Sequence, residues 1–276
     1  DRGVAHFETL SLPVEVRAKL TQLVAIIDDL GRVVTAFSGG ADSAFVAAVA
    51  HEVLGVERAH AVTAVSPSLA GDEETDCRQL AQEWNLRWTP VSTAEMERAA
   101  YRANDIDRCY HCKAELMDVV GPIADREGAT VILGVNVDDL SDHRPGQRAA
   151  LERGAVFPLV QAGFTKDDVR LVSHAMGLRT WDKPAAACLA SRVPYGTPVS
   201  VEILSRVDRA EAALHGLGFR QVRVRHYGET ARIEVVESEL ENAVSQRTLI
   251  IESVKAAGYQ YVTLDLEGFR SGNLNI

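Results

Sequence analysis

The chain has 276 residues, 46% of them hydrophobic and 25% charged, with a formal net charge of −10. That length suits one large domain or a large and a small one in an ordinary globular composition, and the acidic balance argues against a nucleic-acid partner, which favours a broad basic surface. No apolar run reaches membrane-spanning length and no secretory signal pattern is present. The four cysteines, Cys77, Cys109, Cys112 and Cys188, are too sparse for a disulfide scaffold and fit a reducing cytoplasm.

In chain order, Val16, Leu20, Leu23, Ile27 and Leu30 recur at helical spacing, and Gly31 follows as a stop. Residues 33–37 then read as a short buried strand, Ser38 to Ser43 as a loop and 44–54 as a helix. Strands are expected at 61–65, 87–91 and 130–134, with helices at 72–84 and 115–127 between them. Ser92 and Glu95 suggest a capping box for a helix through about residue 103. This alternation, with nearly all-apolar strands, predicts a doubly wound parallel sheet covered on both faces. Residues 166–176 form a further expected helix. The stretch 184–198 holds Pro184, Pro194, Gly196 and Pro198 and reads as a structured loop at a domain junction. Beyond it come a helix at 201–214, a hairpin turning at Tyr227-Gly228-Glu229, a helix capped by Ser238 with Glu241, and a last strand at 261–266. The expected domains are therefore an α/β domain over 1–195 and a smaller α+β domain over 196–276.

The string Ser38-Gly39-Gly40-Ala41-Asp42-Ser43 lies between an apolar strand and a helix. Gly39 and Gly40 allow backbone angles and close approach that a Cβ would forbid. Loop amides and the helix N-terminus then face an anion, Ser38 and Ser43 add hydroxyl donors, and Asp42 is placed to hold Mg²⁺ or to orient the loop. The string is neither a Walker loop nor the GxGxxG of dinucleotide folds. It resembles the phosphate loop of the PP-loop superfamily. That resemblance implies ATP cleavage between the α and β phosphates and adenylation of a substrate oxygen, with AMP then displaced by a nucleophile.

Cys109-Tyr110-His111-Cys112 is a CxxC at an expected helix start. Alone it is compatible with a redox disulfide, half of a zinc site or part of an iron–sulfur site. No second CxxC exists, which excludes a four-cysteine zinc ribbon. Cys188 sits among Lys183, Pro184, Arg192 and Pro194, and the two cations are expected to make its thiolate available. Cys77 falls on the apolar face of its helix with Leu80, Ala81 and Trp84 and is expected in the core.

Taken together, SGGADS at 38–43, RCYHCK at 108–113, GVNVDDLSDHRPG at 134–146, KPAAACLASRVPYGT at 183–197, VRVRHYGETARIEV at 222–235 and YVTLDLEGFRSGNLN at 261–275 resemble the LarE sulfur transferases. That family helps build a nickel-pincer nucleotide cofactor. The resemblance implies that a carboxylate of a pyridinium dicarboxylate mononucleotide is adenylated and converted to a thiocarboxylate. In one version of the family the cysteine matching Cys188 donates its own sulfur and is left as dehydroalanine. In another, three cysteines bind a [4Fe-4S] cluster carrying a replaceable sulfide, and Cys109, Cys112 and Cys188 look like that set. The CxxC favours the cluster version, because a sacrificial route gives it no role. The resemblance also implies a homo-oligomer, hexameric in relatives.

Arg223 and Arg225 alternate with valines, so both share one strand face, and the resemblance assigns them to the substrate phosphate. Asn136, Asp138, Asp139, Asp142 and Arg144 follow a strand at its carboxyl end, where doubly wound folds bind ligands. Contacts to ATP or Mg²⁺ are expected from Asn136 and Asp138. Glu211 and Glu234 are expected on a surface helix and strand rather than at a metal, and His226 as a structural histidine. The rival functions are a PP-loop tRNA thiolase, an ammonia-using amidotransferase or synthetase, and a nucleotide-binding regulator.

Overall fold

The structure is a computed structural model that describes residues 6–141, 145–184 and 187–270. Asp142 and Arg144 lie outside these residues. The chain divides into two compact units. One comprises residues 1–66, 73–94 and 109–186; the other comprises 67–72, 95–108 and 187–276.

In the first unit, β1 (Val33–Ala36), β2 (Ala59–Val65), β3 (Arg87–Ser92) and β4 (Thr130–Ile132) form a four-stranded sheet in the order β3-β2-β1-β4. Every pairing is parallel. Such a sheet needs helices on both faces, and the sequence supplies them. On one side, α1 (Val14–Leu30) presents Val16, Leu20, Leu23 and Ile27 to a core that includes Phe45, Val49, Ile132 and Phe164. On the other, α4 (Arg108–Glu127) contributes Met117, Val120 and Ala124 against Val34, Val62 and Val131. Burying each such large side chain stabilises by roughly 1.5–3 kcal/mol. The helix that follows β1, α2 (Ala41–Leu54), is buried along most of its length, as a helix that is apolar all round must be.

Two further helices of this unit, α5 (Pro145–Glu152) and the one-turn Pro158–Gln161, are not expected from the sequence, and both begin at a proline. The helix α6 (Lys166–Ala175) begins on a capping box made by Thr165 and Asp168. The box expected at Ser92 and Glu95 does not form. Glu95 is buried and accepts a 2.7 Å bond from Ser68 Oγ, and the chain there makes a 3-10 turn at Glu95–Glu97 and a single turn at Ala99–Arg102.

In the second unit, β5 (Val222–Tyr227) pairs antiparallel with β6 (Thr230–Val235), and β6 pairs parallel with β7 (Tyr261–Leu264). One face packs on α7 (Val201–Gly216) and α8 (Arg247–Ala256) through Ala210, Leu214, Val222, Val224, Ile250 and Val254. Ser200 caps α7 through its hydroxyl. The expected Ser238 cap is absent: Ser238 lies in a 3-10 turn at Glu237–Glu239, and the short helix Leu240–Ser245 starts after Glu239 with no side-chain cap. Among the described residues no helix is long and apolar enough to cross a membrane.

Two buried histidines are expected to make the fold acid-sensitive. His60 bonds Glu127 and Thr89, and His226 bonds Tyr259. Burial is the main cause that lowers both pKa values, with Arg87 adding to it at His60 and Arg206 at His226. A base with a lowered folded pKa binds fewer protons folded than unfolded, so stability falls as pH drops below the unfolded histidine value of about 6.5. The urea midpoint should therefore decline from pH 7.5 to 5.5. His60→Gln should flatten that decline, and an unchanged slope would show that His60 does not carry it.

Candidate active site

The loop after β1 is anchored where it leaves the strand. Phe37 N donates to Val62 O, and Thr63 Oγ1 donates to Phe37 O at 2.6 Å. Gly39 takes φ +73°, a region that disfavours a side chain. Gly40 occupies the N-cap of α2 and offers no capping side chain, so the first amides of the helix remain available to an anion. Ser38 and Ser43 meet across the loop: their hydroxyls lie 3.1 Å apart, and Ser43 Oγ accepts from Ser38 N.

The segment after β4 closes on this loop. A Cβ on Gly134 would stand 2.6 Å from Ser43 N and 2.7 Å from Asp42 C, so only glycine lets the end of β4 approach the first turn of α2. Two residues on, Asn136 is fully buried. Its Oδ1 accepts from the amides of Asp138 and Asp139, an Asx turn. Its amide nitrogen faces Asp42. Burial raises the Asp42 carboxyl above the usual aspartate range, the Asn136 side chain pulls it down, and Asp139 adds to the rise. Asn136 Nδ2 and Asp42 Oδ1 are both buried; the amide faces the carboxylate without reaching full hydrogen-bond geometry, and no other group bonds either atom. Asp138 accepts a 2.7 Å bond from Lys166 N, the first residue of α6. The loop after β1 and the segment after β4 thus meet at the carboxyl ends of neighbouring strands, where doubly wound folds bind ligands.

Beneath the loop, Cys77 is fully buried in α3 (Gly71–Glu83), as the helical pattern predicts. Burial pushes its thiol up to about 11. Lys183, expected to act on the Cys188 thiol, has three partners within its own unit. It donates to Glu73 and Asp76 at 2.7 Å each and to the carbonyl of Gly39 at 3.2 Å, and Arg179 bridges Asp76 and Glu83. Lysine five residues before a cysteine suggests a local partner; its actual partners lie more than 100 residues away in sequence.

The CxxC lies in the first turns of α4, where a spacing of three puts Cys109 and Cys112 on one helical face. Cys109 is exposed and Cys112 half-buried. Between them Tyr110 donates to Glu152 Oε2 at 2.6 Å, and the guanidinium groups of Arg148 and Arg153 lie 5.1 and 5.9 Å from its ring. Gly146 of α5 admits the Cys109 carbonyl oxygen to 2.9 Å of where a Cβ would be. The helix missed in the sequence is therefore the one that seats the CxxC.

Cys188 belongs to the second unit. It is half-buried and precedes a 3-10 turn at Leu189–Arg192. Arg192 is 4% exposed and donates to the carbonyls of Ala187 and Cys188 while forming a two-pronged pair with Glu211 at 2.8 and 3.0 Å. Its guanidinium therefore fixes the backbone around Cys188. Asn104, at φ +57°, donates to Val193 O, Pro194 O and Thr197 O. Arg108 binds the Asn104 side chain and Ala190 O. Asparagine tolerates the left-handed region, and that preference is the only local signal of Asn104's role.

Arg223 and Arg225 are buried, and the glutamates expected on the surface are buried with them. Arg225 pairs with Glu234 at 2.9 Å and donates to Ser191 O, which leaves its Nε buried and unpartnered. Arg232 reaches the other oxygen of Glu234. Burial, then neighbouring Arg192, bring the Arg223 guanidinium down to about 10, still charged at neutral pH. Charged glutamates enter this interior because each finds arginine partners. Among the described residues no group of three or more His, Cys, Asp or Glu side chains comes together as a metal site.

A doubly wound parallel sheet with the SGGxDS loop opening α2 defines a PP-loop ATP-using enzyme. The NAD synthase family pattern matches residues 15–115, the stretch that contains this loop. An uncharacterized protein of Synechocystis is 46% identical over 94% of this chain and 97% of its own length. Pyridinium-3,5-bisthiocarboxylic acid mononucleotide synthase of Lactiplantibacillus plantarum is 36% identical over 93% of this chain and 94% of its own length. An uncharacterized protein of Methanocaldococcus jannaschii is 24% identical over 87% and 91%. The chain belongs to the LarE family, that of pyridinium-3,5-bisthiocarboxylic acid mononucleotide synthase, and is an ATP-dependent sulfur-transferring enzyme.

Proposed function

We propose that the protein adenylates a carboxylate of a pyridinium dicarboxylate mononucleotide and converts it to a thiocarboxylate, in the cytoplasm and for nickel-pincer cofactor synthesis. The observation that carries the ATP half is the buried Asp42–Asn136 pair beside the phosphate loop, in which Asp42 Oδ1 and Asn136 Nδ2 face each other short of a full hydrogen bond. A buried polar atom without a good partner costs about 1–3 kcal/mol, and a bound triphosphate with Mg²⁺ supplies better ones. Asp42 would hold the cation, since a buried carboxylate with a raised pKa is stabilised by one. Ser38, Gly39, Gly40 and Ser43 would bind the phosphates, Asp138 would hold the Asn136 segment beside ATP, and Arg223 and Arg225 would bind the substrate phosphate, with the free Nε of Arg225 as one donor.

The reaction follows from these roles. A substrate carboxylate oxygen attacks the α-phosphorus, and the bond to the β-phosphate breaks with release of pyrophosphate. Sulfur then attacks the acyl carbon, and AMP leaves with the former carboxylate oxygen. For the sulfur source we favour Cys109, Cys112 and Cys188 as ligands of a [4Fe-4S] cluster. The donor set suits that group: none of the three cysteines is in a disulfide and each is at least partly exposed, unlike Cys77. When bound, the cluster supplies a replaceable sulfide. The alternative uses the Cys188 sulfur itself, through a thioester whose Cβ–S bond is then cleaved.

Anaerobic purification with iron, sulfide and absorption measurements, followed by turnover and intact-mass analysis, tests this reading. A coloured, iron-bearing protein that turns over repeatedly with added sulfide is expected, and Cys188→Ala should lose both iron and activity. A colourless, iron-free protein that turns over once and loses the mass of H₂S at Cys188 would replace the cluster with the sacrificial route. Ammonia-dependent activity that survives Cys188→Ala would instead favour an amidotransferase, and salt-sensitive tRNA binding a tRNA thiolase. A homo-oligomer, hexameric by family resemblance, belongs to the same reading, and native mass measurement checks it.

A further inference from the structure

We infer that Lys183 is a positioning residue of the phosphate loop: it fixes the peptide between Gly39 and Gly40 so that the Gly40 amide faces the bound phosphates. The inference rests on the loop binding ATP.

The peptide group is planar and trans, so the Gly40 N–H points opposite to the Gly39 carbonyl. Whatever holds that carbonyl therefore aims that amide. Glycines flank the bond on both sides, and neither has a Cβ to resist rotation of the plane. An inverted plane would turn a carbonyl oxygen toward the phosphates and repel them. Lys183 Nζ donates to the Gly39 carbonyl at 3.2 Å. Its own position is set by Glu73 and Asp76, 2.7 Å away on α3, and Asp76 is braced in turn by Arg179. Cys77, on the same helix, packs against Gly39, with Sγ 2.8 Å from where a Cβ would sit. One helix thus supplies both the packing surface under Gly39 and the carboxylates that hold the lysine at its carbonyl.

Positioning and simple charge attraction predict opposite results for the carboxylates. If Lys183 served only as a nearby positive charge, neutralising Glu73 and Asp76 would strengthen ATP binding, because two negative charges leave the site. If it positions the peptide, the same change releases the lysine and weakens binding. The experiment measures ATP affinity, KM for ATP and kcat in ATP–pyrophosphate exchange for wild type, Lys183→Met, Lys183→Arg and the double variant Glu73→Gln/Asp76→Asn, with thermal unfolding of each. Loss of a charged hydrogen bond should raise KM for ATP about tenfold in Lys183→Met. Lys183→Arg should recover part of that loss, and the double variant should bind ATP more weakly than wild type. Tighter ATP binding by the double variant, or a Lys183→Met that matches wild type, overturns the inference. If Lys183→Met does not fold, the double variant decides alone. A wild-type protein that fails to bind ATP removes the loop reading itself, a separate outcome.

Discussion

Gly134→Ala is expected to reduce ATP–pyrophosphate exchange at least about a hundredfold, the scale of loss when reacting groups are misplaced by an ångström. The added methyl would stand 2.6 Å from Ser43 N, 2.7 Å from Asp42 C and 2.8 Å from Ser43 Cα. All three are backbone atoms, so no side chain can swing aside. The first turn of α2 must move away from β4, and it carries Asp42 and Ser43 with it. Overpacking also costs roughly 1–3 kcal/mol of stability. Gly216→Ala is the matched control. It lies in the last turn of α7 with nothing within 4 Å of its Cβ position and should be neutral or stabilising by about 0.5–1 kcal/mol. Wild-type exchange kinetics in Gly134→Ala would refute the close contact.

Glu211→Ala should cost about 3–5 kcal/mol, the usual penalty for leaving a buried charge without its partner. Arg192 and Glu211 are 4% and 7% exposed, so water cannot replace the lost carboxylate. The same carboxylate accepts from Val224 N, and that amide would be orphaned as well. Arg192 is the donor to the carbonyls of Ala187 and Cys188, so the backbone that carries the thiol loosens when the arginine does. Sulfur transfer should therefore fall further than adenylation, and Glu211→Gln should be milder on both counts. A loss below about 1 kcal/mol in urea unfolding would mean that the pair does not hold this segment.

The α/β alternation was legible because strands buried on both faces are apolar along their length, and Val33-Val34 and Ala61-Val62 show it plainly. The phosphate loop was legible for the same local reason, since its glycines and hydroxyls are contiguous. What escaped depends on pairs distant in sequence. Gly134 reads as an ordinary strand end until α2 is seen against it. Glu211 looks like a surface residue because the arginine that neutralises it lies 19 positions away, and Glu234 because one of its two arginines lies across the hairpin, 9 positions away. Lys183 points by sequence to Cys188 and in space to Gly39. Helix α5 is short and begins with a proline and a glycine, and its significance comes from Gly146 and from the side chains around Tyr110.

The interleaved division of the chain has a consequence for dissection. The backbone passes between the two units five times. A fragment beginning at residue 187 would carry Cys188 but lack Ser68, whose carbonyl accepts from Leu189 N, and Asn104 and Arg108, which hold the turn after the cysteine. A fragment ending at 186 would carry segments 67–72 and 95–108 without the strands they belong with. No single cut yields two self-sufficient pieces, so a nicked chain should stay associated or lose both structures together. Truncation cannot separate the chemistry of the thiol from that of the nucleotide; only point substitutions can.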